Sequence, residues 1–346
     1  MTVPAQAATM QVQSRLVDPR ATDQGARGAN SVSVIVPVKN GMPHFRAVCA
    51  ALRTQDYDAP FEVICIDSGS KDGSDQLAED SGFRLVRISS SEFGHGRTRN
   101  FGASLSQAEF LAFITHDAIP ADARWLSQLV APLRADPRVA GAFGRHVAHL
   151  GADPYTEWEL RTHFHGLEAF PVVEITDRAA YDANVGLQQV YHFYSDNASA
   201  MRRSVWQDHP YPDVQFAEDQ LWAKQIVEAG WRKAFANDAV VYHSHAFGPF
   251  ETLQRSFDES RAFRKLFGYR LSQSVRQTCR SVGYLASRDM KLARDNGWWR
   301  SHPGVTATRL MQAVARPVGH YLGARDALPH WLTKRLSRDD WIRNLQ

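Results

Sequence analysis

Three cysteines in 346 residues, Cys49, Cys65 and Cys279, are too few and too scattered for a disulfide framework or a zinc site. Cys49 and Cys65 fall inside apolar segments, where a thiol behaves as a small buried hydrophobe. No stretch reaches the roughly 20 apolar residues that a membrane-spanning helix needs, and the amino terminus has no basic-then-apolar leader, so the chain is expected in the cytoplasm. Internal repeats are absent, and the first 30 residues, rich in Ala, Gln, Ser and Gly, show neither helical nor strand periodicity. They read as a mobile tail.

What remains is an ordinary globular composition, 44% hydrophobic and 22% charged. The length fits one α/β core with an appendage. The net charge is only +3, yet residues 261–346 hold 17 Lys and Arg against 5 Asp and Glu, a balance of +12 that leaves −9 for residues 1–260. The two parts are expected to do different work.

From residue 31 the pattern alternates. Apolar segments at 32–37, 61–66, 83–88 and 110–114 are separated by helical patterns at 43–53, 74–80 and 98–105, with another at 125–133. Strand–helix alternation with nearly continuous apolar strands predicts a doubly wound, mostly parallel sheet flanked by helices. Residues 145–190 are aromatic- and His-rich without a clear period, and His163, His165 and His192 read as loop histidines. Ordered patterns resume at 194–201, 216–229 and 231–242. From 249 onward the sequence reads as amphipathic helices with a basic face, interrupted at 297–300 and 303–304.

Chemistry in such sheets lies beyond the carboxyl ends of the strands. The first exit, Pro37-Val38-Lys39-Asn40-Gly41, can turn sharply and present backbone groups to a planar ligand, or be an ordinary strand-to-helix turn. The second, Asp67-Ser68-Gly69-Ser70-Lys71-Asp72-Gly73-Ser74, places a carboxylate at a strand tip with Ser74 as N-cap of the next helix. That carboxylate could accept an N–H from a pyrimidine ring, or all of it could be turn and cap chemistry. The third, Thr115-His116-Asp117, follows the buried run Phe110-Leu111-Ala112-Phe113-Ile114; a carboxylate there is costly unless solvated, paired or metal-bound, with a helix cap as the plain alternative.

In order and spacing these exits, together with Arg99-Asn100-x-Gly102, resemble the nucleotide-binding half of family 2 glycosyltransferases of the GT-A type. The resemblance implies that Asp67 contacts the base, that Arg99 contributes to the nucleotide pocket, and that Pro37, Val38 and Asn40 line the donor site. The family's Asp-x-Asp motif is altered: Thr115 stands at its first aspartate, and Asp117 is the retained second one, the usual metal ligand. Thr115 or His116 is then expected to take over the first aspartate's donor contact.

A narrower likeness, to bacterial rhamnosyltransferase-like members, rests on that variant and on Ser195-Asp196-Asn197-Ala198-Ser199, Arg202-Arg203-x-x-Trp206 and the run from Tyr211 through Glu218-Asp219-Gln220-Leu221-Trp222-Ala223. Glu218 and Asp219 open a helix, where acidic residues commonly complement the dipole. In the family the second acid of this pair is the catalytic base of an inverting transfer, which makes Asp219 the catalytic residue and places Glu218, Asp196, Asn197 and Trp222 on the acceptor side. His243 and His245 follow the apolar strand and share a face at i and i+2, so either completes a metal site with Asp117 or is a solvated or core-capping histidine.

The resemblance covers roughly residues 31–250 and implies a divalent cofactor, Mg2+ or Mn2+, and a nucleotide-sugar donor. The leading donor is dTDP-L-rhamnose, with other UDP- or dTDP-sugars behind it. The acceptor is a saccharide or lipid-linked saccharide in bacterial cell-surface polysaccharide synthesis. The expected organisation is a tail over 1–30, a GT-A domain over 31–250 (donor half 31–145, acceptor half 146–250) and a basic helical extension over 251–346. A sugar nucleotidylyltransferase would want a Gly-rich, Lys/Arg-bearing loop after the first strand, and residues 37–42 offer none. No nucleic-acid partner is expected, because the folded core is acidic and the basic residues are spread over helices. Those helices, carrying Trp298, Trp299, Trp331 and Trp341, suit an anionic membrane surface, or pack a solvated basic face on the core.

Overall fold

The computed structural model describes residues 25–325 and 328–338. The expected tail therefore lies outside the described residues up to residue 24, as does Trp341. Residues 25–30 pack onto the domain: Ala26 is buried, and its N–H donates to Glu62 at 3.2 Å.

Nine strands are present among the described residues: β1 (Val32–Val38), β2 (Phe61–Asp67), β3 (Arg84–Arg87), β4 (Phe110–Ile114), β5 (Ile119–Pro120), β6 (Val139–Val147), β7 (Val172–Val173), β8 (Ala198–Arg202) and β9 (Arg232–Tyr242). They form one sheet in the order β3-β2-β1-β4-β8-β6-β9-β5, with β7 added to β9. The β3-β2-β1-β4 half is parallel, β8 runs antiparallel to both β4 and β6, and β6 is parallel to β9. This is the mixed, mostly parallel GT-A sheet flanked by helices.

Every residue of β1 is buried, because helices cover both faces. Val32, Val34, Val36 and Val38 join one core beneath helices His44–Arg53 and Trp125–Ala135; Ile35 points the other way, with Leu111 and Phe113, toward helices His95–Ser104 and Glu218–Glu228. The two-residue alternation thus divides one apolar strand between two cores.

The stretch without a clear period proves ordered. It forms helices Pro154–Leu167, Arg178–Ala183 and Val185–His192, each started by a side-chain cap from Asp153, Asp177 or Asn184. His163 and His165 accordingly lie on a helix. His192 is buried, with Nε2 2.5 Å from the Tyr181 hydroxyl and Nδ1 against that of Tyr269. None of the three is a loop histidine.

Beyond the sheet come helices Pro249–Phe267, Val275–Asp295, Trp298–Ser301, Pro303–Gly323 and His330–Leu336. Pro249 and Pro303 sit at helix starts, where a missing N–H costs nothing. Pro303–Gly323 crosses Pro249–Phe267 at close range. A Cβ on Gly319 or Gly323 would come within 2.4 Å of the Leu253 carbonyl or 2.3 Å of the Phe257 carbonyl, so neither position takes a larger residue without moving a helix.

Candidate active site

The β4 exit and the β9 exit meet because of β5. Two residues after Asp117 the chain pairs antiparallel with the end of β9, Ile119 against Tyr242 and Pro120 against Val241. Asp117 is thereby set beside His243 and His245: Oδ1 lies 3.7 Å from His243 Nε2 and Oδ2 3.9 Å from His245 Nε2. One ligand atom from each residue falls within 4.8 Å of the others. The two imidazoles meet edge to face at 4.7 Å, and the Ser244 hydroxyl between them accepts the His149 N–H at 3.1 Å, which fixes the turn.

Electrostatics prepares this group for a cation. Burial pushes His243 down to about 4, only partly offset by Asp117, and burial also lowers His245, so at neutral pH both imidazoles carry lone pairs rather than charge. Burial alone would raise Asp117. His243, the Thr115 hydroxyl, His116 and His245 together hold it below the ordinary carboxylate value, and it is ionised. A carboxylate flanked by two neutral imidazoles fits a divalent transition-type ion.

The second cluster lies across the segment 195–197. The Thr115 N–H donates to the Asn197 carbonyl at 3.4 Å on one side, and the Asp196 N–H donates to Asp219 Oδ2 at 3.3 Å on the other. Three carboxyl groups, Asp196, Glu218 and Asp219, gather here, and two of them, Asp196 and Glu218, share one guanidinium. Arg99, 3% exposed, pairs its Nε with Asp196 at 2.9 Å and donates from Nη1 to Glu218 at 3.0 Å. Burial, and then the negative charge of Asp196, pushes Asp219 up to about 7, while the Gln220 N–H at 2.7 Å and Arg99 pull the other way. Burial and Asp196 likewise raise Glu218. Asp219 is a half-buried residue with no ion-pair partner among the described residues, whereas Glu218 is buried and spent on Arg99.

A profile of glycosyl transferase family 2 matches residues 33–209. The chain belongs to glycosyl transferase family 2. It is a glycosyltransferase. It is 34% identical over 231 residues to the O-antigen chain rhamnosyltransferase RfbN of Salmonella typhimurium, covering 66% of this chain and 70% of that one. It is 33% identical over 232 residues to the O-antigen chain rhamnosyltransferase WbaN of Salmonella anatum, with the same coverage. In fold it is similar to the mannosyltransferase PcManGT from Pyrobaculum calidifontis, solved with GDP-Man and Mn2+: TM-score 0.54 at 16% identity, over 87% of both chains.

Within this family-2 framework the Arg-Asn-x-Gly motif forms a joint between separate segments. Arg99 is committed to Asp196 and Glu218. The Asn100 amide donates to the Tyr211 carbonyl at 2.8 Å and accepts from the Trp206 indole at 2.9 Å and the Tyr211 N–H at 3.0 Å. Gly102 presses on β1, where a Cβ would stand 2.6 Å from Ile35 Cγ2. Arg99, expected at the nucleotide pocket, has Asp196 and Glu218 as its ion-pair partners. Trp222, expected on the acceptor side, is fully buried, and its indole N–H donates to the His209 carbonyl at 2.8 Å.

The donor-side exits are tied to each other. Asp67 is 2% exposed, and its Oδ1 accepts the N–H groups of Gly69 and Ser70 at 2.9 and 3.0 Å while Oδ2 accepts the Ser70 hydroxyl. Asn40, at φ 48°, accepts the Lys71 N–H at 2.8 Å and donates its own N–H to Ser70 at 2.9 Å. Pro37 and Val38 are buried at the end of β1, and the Val38 carbonyl accepts the Ser68 N–H at 3.0 Å. Gly73, not Ser74, occupies the N-cap position, and Ser74 bonds back to Asp72. His116 packs beside Gly41, linking the first exit to the third.

Sequence reasoning passed over His146. It ends the apolar run of β6 as His243 follows that of β9, is buried, stacks edge-on against His243 at 5.3 Å, and has an Nε2 without a partner. The repeated strand-then-histidine pattern was the available signal.

Proposed function

We propose that the chain is an inverting, divalent-metal-assisted transferase that moves a sugar from a nucleotide diphosphate to a saccharide or lipid-linked saccharide acceptor in bacterial cell-surface polysaccharide synthesis. The leading donor is dTDP-L-rhamnose; another UDP- or dTDP-sugar is the alternative. The observation that carries the reading is the juxtaposition, across residues 195–197, of a cation-ready cluster and a carboxyl pushed up to about 7. The two O-antigen chain rhamnosyltransferases support the donor.

Asp219 takes the proton of the acceptor hydroxyl as its oxygen attacks the anomeric carbon, and the sugar–phosphate bond breaks with its electron pair leaving on the diphosphate. A base with a pKa near the working pH is effective in this role. One displacement inverts the configuration. Arg99 holds Glu218 and Asp196 in place beside Asp219, and its charge moderates the rise that burial and Asp196 impose on Asp219. Asp117, His243 and His245 would hold the cation, which supplies charge neutralisation at the leaving diphosphate. Two imidazoles in the donor set favour Mn2+ over Mg2+, which prefers oxygen ligands throughout. Thr115 and His116 stand next to that cluster on the donor side.

A panel of nucleotide sugars, screened for Mn2+- or Mg2+-dependent release of the nucleoside diphosphate and followed by NMR of the product, tests this. Undiminished turnover in excess EDTA removes the metal from the reading, and a retained anomeric configuration removes the single displacement. Release from other nucleotide sugars but not from dTDP-L-rhamnose replaces the donor.

We also propose peripheral contact with the inner face of the cytoplasmic membrane. No helix among the described residues is long and apolar enough to cross a membrane. Helix Val275–Asp295 instead exposes Arg276, Arg280, Lys291 and Arg294 with Tyr284, near the exposed Trp299, a composition suited to an anionic lipid surface. Liposome flotation of the full chain should lose salt-sensitive binding on R276E/R280E/K291E; equal flotation of both proteins overturns the contact.

A further inference from the structure

The acceptor half and the C-terminal helices do not close on each other. Between them lies a cavity of about 1100 Å³, whose lining includes Ser195, Asn197, His243 and His245 of the candidate site and runs outward from there along helices Pro249–Phe267 and Pro303–Gly323. This volume is at or above the top of the roughly 300–1,000 Å³ typical of small-molecule sites.

The helix surfaces that face it are inverted. From Pro303–Gly323 the cavity is lined by Gly304 and Val305 at the helix start and then by Thr308, Arg309, Gln312, Arg316 and His320, spaced by one, three or four residues as one face of a helix requires. A helix that merely packed on the domain would turn an apolar stripe inward. The stripe is held in place: Arg309 reaches Glu159 at 2.5 Å, His320 Nε2 lies 3.0 Å from Glu259, and Gln312 donates to the Phe247 carbonyl at 2.6 Å.

The chemistry of the lining narrows the occupant. Its carboxylates Asp153, Glu159 and Glu259 balance its guanidiniums Arg255, Arg309 and Arg316. An alkyl chain would bury six charges against hydrocarbon, and a polyanion finds no surplus of positive charge. A neutral, polyhydroxylated molecule matches both counts: charged side chains bond its hydroxyls well, and Leu160, Phe193 and Phe247 put apolar surface on the lining for its C–H groups. The buried His146 Nε2, without a partner and on the lining, is a polar atom still awaiting one.

We infer that this cavity is the binding channel for the acceptor's saccharide chain, several sugar units long, and that the polar inward faces of the two C-terminal helices set acceptor specificity. The inference rests on the glycosyltransferase reading for the word acceptor, but binding itself can be measured without turnover.

Full-length protein is titrated with neutral di-, tri- and tetrasaccharides of rhamnose, mannose and galactose, observed by saturation-transfer NMR, beside separate titrations with inorganic diphosphate and a neutral alkyl maltoside. The same titrations are run on Thr308→Trp and Val305→Trp, which fill the cavity from one wall, with thermal melting and nucleoside-diphosphate binding as checks that the fold stands. The expected result is saccharide binding that strengthens with chain length and falls at least tenfold in both variants, with nucleotide affinity within twofold of the parent. Saccharide binding unchanged in both folded variants, no saccharide binding up to tens of millimolar, or occupation by diphosphate or the alkyl chain alone, overturns the inference. Should the parent bind saccharide in this manner yet release no nucleoside diphosphate from any sugar nucleotide, the channel stands and the catalytic reading falls.

Discussion

Two carboxylates of the same chain, one at a strand tip and one in the first turn of a helix, meet opposite surroundings. Asp67, at the end of β2, accepts three hydrogen bonds from its own turn, all within three residues of sequence. Asp219 faces two other carboxyl groups, one shared guanidinium and two backbone N–H groups, and is pushed up to about 7 by burial and by Asp196. The first is satisfied locally and so builds shape. The second is satisfied incompletely, and a group held out of its comfortable state is one that can move a proton. The two carboxylates thus differ in kind: one shapes its own turn, the other sits in an incompletely satisfied acid cluster.

The largest effect that would break this contrast is at Asp219. Asp219→Asn keeps the size and loses the base, so turnover should fall by roughly 10²–10⁴ with donor binding intact. Glu218→Gln should cost less, because Glu218 is occupied by Arg99. In the parent, kcat should rise as pH climbs through about 7, since the active form is the deprotonated one. Stability runs the other way: a carboxyl with a raised folded pKa favours the protonated fold, so ionisation between the ordinary carboxylate range and about pH 7 destabilises it, and Asp219→Asn should unfold at higher temperature than the parent at pH 8. Near-normal turnover in Asp219→Asn, or a pH profile flat through 7, removes Asp219 from the role of base.

Next comes the joint. Arg99→Met strands two buried carboxylates, and removing one partner of a buried ion pair typically costs about 3–5 kcal/mol. Denaturant unfolding should show that loss, and the pH midpoint of any remaining activity should move upward, because the guanidinium now lowers Asp219. A stability change under 1 kcal/mol would mean that the triad is not closed in solution.

Somewhat smaller is the cation cluster. Asp117→Ala should lower metal-dependent turnover by on the order of 10²–10³, the several kcal/mol of charge stabilisation that a metal supplies. His243→Ala should weaken Mn2+ binding more than it weakens Mg2+ binding, which isothermal titration distinguishes. Equal loss for both ions would say that the imidazoles stand near the ion without holding it.

Much of this was legible in the residues, and the boundary of legibility has physical causes. The nearly continuous apolar runs of β1 and its neighbours gave the strands, and the polar residues leaving them gave the exits, because both signals are local. β5 was invisible: two residues long, it exists only through pairing with β9 some 120 residues later, and that pairing is what brings Asp117 to His243 and His245. The antiparallel insertion of β8 between β4 and β6 is equally non-local. The helices within 145–190 were a different miss, since Asp153-Pro154, Asp177 and Asn184 are cap signals that stood in the sequence while the apolar period was faint. The partners that Arg99 and Trp222 have inside the fold were not legible, because a motif tells which residues matter without telling what they touch; burial decides that, and burial is a property of the whole fold.

The smallest expected effect sharpens the comparison from the donor side. Asp67→Asn leaves one oxygen to accept the Gly69 and Ser70 N–H groups but turns the other acceptor, toward the Ser70 hydroxyl, into a donor. A hydrogen bond to a charged group is worth about 1.5–3 kcal/mol, so unfolding free energy should drop by an amount in that range. The turn it holds also carries the partners of Asn40, through Ser70 and the Lys71 N–H, so the cradle should loosen and nucleoside-diphosphate affinity should fall roughly tenfold, about 1.4 kcal/mol. Stability and affinity are then expected to fall together, and calorimetric titration beside denaturant unfolding reads both. A tenfold loss of affinity at unchanged stability would show the carboxylate meeting the base directly, with the turn bonds secondary. A loss of stability at unchanged affinity for both UDP and dTDP would show a turn that shapes nothing the nucleotide feels, and the division between a cradle that is satisfied and a cluster that is strained would lose its donor half.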